Sequence, residues 1–99
     1  MFVPKTVLLE CEWVLRSRFG YELRDIQEFF NYLASLAQIA LEDEAAVLRA
    51  LKIHSQRVDL ADALHLASSG DREFITMDAV LARRAAKLGA NIRLLKRAE

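Results

Sequence analysis

The sequence has few of the residues that mark disulfide scaffolds, flexible linkers and membrane spans. Its one cysteine, Cys11, has no partner for an internal disulfide, which fits a reducing compartment. One proline and three glycines are too few for a linker or a low-complexity tract. No apolar run is long enough to cross a bilayer, and no signal-peptide pattern opens the chain. We therefore expect a cytoplasmic protein that does not enter the membrane.

Several motifs of catalysis and metal binding are also missing. His54 and His65 belong to no His-x-x-His or Cys-x-x-Cys pattern, which argues against a zinc site. The chain contains no Gly-rich phosphate loop and no Gly-x-Ser-x-Gly nucleophile elbow. Fourteen basic and fourteen acidic side chains cancel, so the protein does not grip nucleic acid by net charge alone. Carboxylates remain as candidate ligands, and oxygen ligands suit Mg²⁺ or Mn²⁺.

Length and composition predict a single small domain that associates with other chains. Ninety-nine residues suffice for one domain, over residues 1–99, and not for two. The hydrophobic fraction of 54% is above the usual range for a soluble domain. We expect the additional hydrophobic residues to form an exposed apolar surface through which the chain associates into an oligomer.

Apolar periodicity and boundary residues predict five helices and several short strands. Helices are expected over residues 5–19, 23–36, 43–51, 59–70 and 79–88, with Gly20, Gly70 and Gly89 at the ends of three of them. Short apolar runs at 38–41, 74–77 and 92–95 are typical of buried strands, and Phe2-Val3 is an apolar stub before Pro4. The alternation of helix and strand in the second half favours an α/β layer with parallel strands; a bare helical bundle is the alternative.

Asp62 is the most unusual carboxylate, because it lies in a helical segment that is apolar around most of its circumference. An isolated carboxylate is costly there unless something pairs with it, and a divalent cation is one such partner. The alternative is a capping box, with Asp59 as N-cap and Asp62 three residues later. Both interpretations can hold together, with Asp59 capping the helix and Asp62 facing a metal.

Asp78 follows a predicted strand and precedes a predicted helix. Ligand sites in open α/β sheets lie beyond the carboxyl ends of strands, although Asp78 is equally suited to cap the helix. Thr76 has a hydroxyl that can orient a neighbouring carboxylate or a water, or it is an ordinary strand residue.

In the first helix, Glu10 and Glu12 flank opposite edges of the apolar stripe, and helical geometry alone does not choose between them.

Three segments together resemble PIN-domain toxins of the VapC type. Residues 3–17, with Glu10, resemble the second acidic segment of that family, and residues 58–67, with Asp62, resemble the third. Residues 74–78 are similar to the closing Thr-x-Asp strand end, and a basic helix follows as in the family. The three segments occur in family order and with family spacing over nearly the whole chain.

The resemblance implies a three-layer α/β/α fold with a short parallel sheet and a Mg²⁺- or Mn²⁺-dependent ribonuclease. It implies that Glu10, Asp62 and Asp78 are the metal ligands and that Thr76 is a supporting hydroxyl. An RNA substrate, a cognate antitoxin protein and a homodimer are the implied partners. The arginines Arg16, Arg18, Arg83 and Arg84 are candidates for phosphate contact, although a solvated helix face is the usual role of such residues.

The sequence departs from the family pattern at its beginning. Family members open with an apolar strand that ends in Asp-Thr-Asn, and nothing similar precedes Phe2. We therefore expect an α/β fold that is incomplete at the N-terminus and a site without one acidic ligand. Exchange of elements within a dimer is one way to cover the strand edges. The expected activity is weak or absent, and the alternative is a non-catalytic module that binds an antitoxin or itself.

Overall fold

Helices make up most of the computed structural model, which describes residues 1–96, and short strands come between them. Within these residues, no helix is long and apolar enough to span a bilayer. In chain order the elements are β1 (Phe2–Val3), α1 (Lys5–Ser17), α2 (Leu23–Ser35), β2 (Ala40–Leu41), α3 (Glu44–His54), α4 (Leu60–Ser69), β3 (Phe74–Thr76), α5 (Ala79–Lys87) and β4 (Ile92–Leu94).

The strands pair in parallel, as the alternation of helix and strand predicts. β1 pairs with β2, and β3 pairs with β4, so the described residues contain two parallel two-stranded sheets. Phe74 lies opposite Ile92 and Thr76 opposite Leu94, and α5 connects these two strands as the crossover of a β-α-β unit. The α/β prediction is confirmed, and the alternative of a bare helical bundle is wrong.

The core forms where α3 packs against α4, the most extensive contact between any two elements. Small residues on the facing sides let the two helices approach closely, and Ala50 and Ala63 have no solvent exposure at all. From α2, the side chains of Ile26 and Phe30 complete this core and are nearly fully buried. The buried helices carry most of the hydrophobic stabilisation, because the strands are only two or three residues long.

Helix ends mostly follow the boundary residues, with small shifts. α1 ends at Ser17, two residues before the predicted end at Phe19, and the chain then turns through Gly20 at a φ of 66°. The left-handed backbone at Gly20 lets the amide of Tyr21 donate to the carbonyl of Leu15, which closes the turn. The strand predicted at 38–41 is shorter in the structure and contains only Ala40–Leu41.

Candidate acidic metal site

Three carboxylates and two guanidinium groups line one open cleft of about 200 Å³. Asp59 and Asp62 come from the beginning of α4, and Asp78 from the beginning of α5. Arg57 lies in the turn before α4, and Arg84 comes from the second half of α5. Two helix N-termini therefore meet at the cleft, and Asp78 reaches it because it directly follows β3 at the carboxyl end of the strand.

Asp59 and Asp78 both cap helices, as one sequence interpretation predicted. The Oδ2 atom of Asp59 accepts a hydrogen bond from the amide of Ala61 at 3.1 Å. The Oδ1 atom of Asp78 accepts from the amides of Val80 and Leu81 at 2.9 and 3.0 Å. Within the described chain, the second oxygen of each carboxylate accepts no hydrogen bond. Helix capping therefore leaves one oxygen on each aspartate for another partner.

Asp62 has no such local role in the structure. Its carboxylate accepts no hydrogen bond from residues 1–96, so it does not complete the capping box that its spacing from Asp59 suggested. Partial burial raises the pKa of Asp62, and repulsion from Asp59 and Asp78 raises it further, whereas His65 acts in the opposite direction. The cleft thus holds more negative charge than its own hydrogen bonds compensate, a situation that a bound cation relieves.

Thr76 supports the backbone that carries Asp78. Its Oγ1 atom accepts a hydrogen bond from the amide of Asp78 at 3.1 Å. This bond fixes the turn between β3 and α5, from which the carboxylate projects. Thr76 therefore contacts the backbone at Asp78, and its role as a supporting hydroxyl of a metal site stays a prediction.

Glu10, the remaining residue of the expected ligand set, does not line this cleft. It is exposed on α1 and lies at the edge of an apolar depression of about 260 Å³ formed with Val7, Cys11, Val14 and Phe29. The structure thus brings Asp62 and Asp78 to one cleft and places Glu10 on the lining of another.

Glu12, two residues along α1, is the buried glutamate. Its side chain is 8% exposed, and its Oε2 atom accepts a hydrogen bond from Nε of Arg16 at 2.8 Å. The nearby ring of His54 is also buried, and Nδ1 of His54 lies 2.6 Å from the side-chain amide of Gln27. Burial lowers the pKa of His54, and this effect is partly offset by the negative charges of Glu12 and Asp59. A polar cluster therefore lies within the electrostatic reach of the acidic cleft.

Two residues of the cleft were not assigned to it from the sequence. Asp59 was interpreted only as a helix cap, and Arg57 was not singled out. The position of Arg57, two residues before Asp59 in the short link between α3 and α4, is the one signal in the sequence that points to the cleft. The direction in which the Arg57 side chain points depends on how α3 and α4 pack, so the sequence alone does not predict that it reaches the cleft.

The donor set suits a hard divalent cation and not a closed metal cage. Among residues 1–96, no three acidic, histidine or cysteine side chains are arranged as a preformed metal site. Mg²⁺ commonly keeps several water ligands and binds through one or two carboxylates. The carboxylate of Asp62 and the second oxygen of Asp78 accept no hydrogen bond within these residues and are oxygen atoms of the type that such an ion takes, and their role as ligands stays a prediction.

Comparison with known proteins assigns the chain to a family. The sequence profile of the PIN domain matches residues 1–88, and the chain therefore belongs to the PIN domain family. PIN domains are in general nucleases that depend on divalent metals, so membership of the family indicates this general class of function. No similar curated protein and no similar solved structure was found.

Proposed function

We propose that the protein is a VapC-type toxin of a toxin–antitoxin system, a metal-dependent endoribonuclease whose cation binds at Asp62 and Asp78. The observation that carries this proposal is the cleft of Asp59, Asp62 and Asp78 at two helix N-termini in a chain of the PIN domain family. Asp62 supports it most directly, because burial and two acidic neighbours raise its pKa and no group among residues 1–96 bonds to it.

The protein groups each have a part in the proposed reaction. A bound Mg²⁺ or Mn²⁺ supplies an activated water and neutralises charge on the phosphodiester. Asp62 and Asp78 hold the cation, Thr76 fixes the turn that presents Asp78, and the cap bonds of Asp59 and Asp78 hold both carboxylates in place. The resemblance to the toxin family alone supports Glu10 as a third ligand. It likewise supports an antitoxin partner and a homodimer.

A non-catalytic interaction module is the second candidate. Two observations favour it: Glu10 lies on a different cavity from Asp62 and Asp78, and large apolar side chains such as Trp13, Phe19 and Tyr32 are exposed. In this function the same domain binds an antitoxin or a second copy of itself and cuts no RNA.

Thermal unfolding with and without Mn²⁺ tests the proposed metal site, because a ligand that binds only the folded state raises its stability. We expect millimolar Mn²⁺ to raise Tm in the wild type and not in Asp62→Asn. The matched control is Asp71→Asn, which removes an exposed aspartate outside the cleft and is expected to keep the shift. Without metal, Asp62→Asn is expected to be at least as stable near neutral pH, because it removes a carboxylate that its acidic neighbours repel.

Cleavage of a labelled RNA then tests catalysis itself. Metal catalysis contributes several kcal/mol, and each 1.4 kcal/mol is a factor of ten, so Asp62→Asn should reduce the rate by about 100-fold or more. Glu10→Gln should weaken the dependence on Mn²⁺ if Glu10 is a ligand. A Tm shift without cleavage supports the interaction module, and a wild type that shows neither response refutes the proposed metal site.

A further inference from the structure

Arg57 and Arg84 lie in the acidic cleft, but neither guanidinium group forms an ion pair with its carboxylates. Both side chains line the cleft together with Asp59, Asp62 and Asp78. Even so, no ion pair within residues 1–96 involves either guanidinium group, whereas Arg16, Arg24 and Arg93 each pair with a glutamate. Two unpaired cations beside three carboxylates indicate that the two kinds of charge serve different partners.

The two arginines are joined through the backbone. Nη1 of Arg84 donates a hydrogen bond to the carbonyl oxygen of Arg57 at 2.7 Å, which connects α5 to the turn before α4. This bond uses one of the five N–H donors of Arg84 and leaves a forked guanidinium group at the cleft. The contact therefore positions Arg84 without consuming its charge.

Arg57 occupies a backbone conformation that favours glycine. Its φ is 68°, in the left-handed region, where a side chain with a Cβ atom is strained. Strained residues cluster at functional sites, so an arginine in this position suggests that its side chain has a role in the cleft. The turn requires only the backbone of residue 57, because Arg84 bonds to the carbonyl group.

We propose that Arg57 and Arg84 form a clamp for the phosphodiester backbone of the RNA substrate, one on the α4 side and one on the α5 side of the cleft. Guanidinium groups suit this ligand because their paired N–H donors match the geometry of phosphate oxygens. The inference rests on the proposed function, since it names how the same cleft holds its substrate.

The charges of the cleft make the clamp dependent on the cation. Without metal, the three carboxylates outnumber the two guanidinium groups, and the cleft repels a phosphate. A divalent cation reverses the sign of the local charge, so that metal and arginines attract the same phosphodiester. RNA binding is therefore expected to require the cation, although the arginines do not touch it.

The test measures binding of a short fluorescent single-stranded RNA by anisotropy, with Ca²⁺ present because it takes the same kind of oxygen ligands. Arg57→Gly and Arg84→Gln are compared with the wild type at several KCl concentrations. Each variant is expected to raise Kd about three- to tenfold and to reduce the slope of log K against log[salt] by about 0.7 per lost contact. Arg72→Gln is the matched control, because it removes the same charge from an exposed position just after α4, at the opposite end of that helix from the cleft.

Arg57→Gly separates binding from folding. The variant keeps the carbonyl group that Arg84 bonds to and places glycine at a positive φ, so its Tm should equal or exceed that of the wild type while RNA binding falls. Wild-type binding in both clamp variants overturns the inference, and so does a wild type that binds no RNA. The Mn²⁺-induced Tm shift is read in parallel: its absence from the wild type refutes the metal site, whereas its presence with unchanged RNA binding refutes only the clamp.

Discussion

Removing Arg16 should cost far more than removing its partner Glu12, because the two ends of this ion pair differ in burial. The Glu12 side chain is 8% exposed, and Arg16 is 53% exposed. Arg16→Met leaves a carboxylate buried without its partner, whereas Glu12→Met leaves a guanidinium group that water can solvate. The expected asymmetry follows from the desolvation of the charge that is left behind.

The loss of unfolding free energy in Arg16→Met lies between the values typical of two kinds of ion pair. Breaking a fully buried pair costs about 3–5 kcal/mol, and an exposed i,i+4 pair contributes about 0.3–0.5 kcal/mol. Because Arg16 is half exposed, we place the cost of Arg16→Met at about 1.5–3 kcal/mol. In a domain of this length, that corresponds to a decrease in Tm of about 6–24 °C. Glu12→Met should cost less than about 1 kcal/mol, because methionine fills a site that is already shielded from water.

The chain offers a matched control for this experiment. Arg24 and Glu28 form a second i,i+4 pair on α2, at 3.6 Å and with side chains 87% and 69% exposed. Arg24→Met should therefore change the free energy of unfolding by no more than about 0.5 kcal/mol. Urea unfolding of the single variants and of Glu12→Met/Arg16→Met completes a double-mutant cycle, in which the double variant should regain most of the stability. The reasoning is refuted if Arg16→Met is as mild as Arg24→Met, or if Glu12→Met is equally costly.

Two further predictions concern the buried histidine and the core. Burial lowers the pKa of His54 in the folded chain, so the unfolded chain binds the proton more readily, and stability should fall as the pH drops below about 6.5 towards the folded-state pKa. In urea unfolding across this pH range, the decrease in midpoint with falling pH should be smaller in His54→Gln and unchanged in His65→Gln. The same pH dependence in both variants would contradict the role of His54. Phe30→Ala should cost about 3–5 kcal/mol, since Phe30 is 2% exposed, whereas Tyr32→Ala, at a residue 65% exposed, should stay within about 0.5 kcal/mol by thermal melting. A similar cost for both would contradict the burial argument.

Local chemistry was enough to predict the elements and the helix caps. The apolar period of α2 and the Gly20 and Gly89 boundaries depend on neighbours along the chain, and the structure places helices and left-handed glycines there. The capping roles of Asp59 and Asp78 were predictable for the same reason, because an N-cap acts on amides two or three residues away. Membership of the PIN family was also visible in the order of three short segments, and the family profile confirms it.

Which side chains meet was decided only by the tertiary structure. Glu10 and Glu12 are equivalent in helical geometry, and Glu12 is buried because packing places it near His54, which is distant along the chain. The cleft of Arg57, Asp62 and Asp78 likewise exists because α4 and α5 begin side by side. The sequence alone determined the elements, their caps and the family, since these depend on short-range order. The burial of each side chain, the pKa of Asp62 and the charged groups that lie near one another depend on contacts between distant segments. No local sequence pattern predicts these contacts.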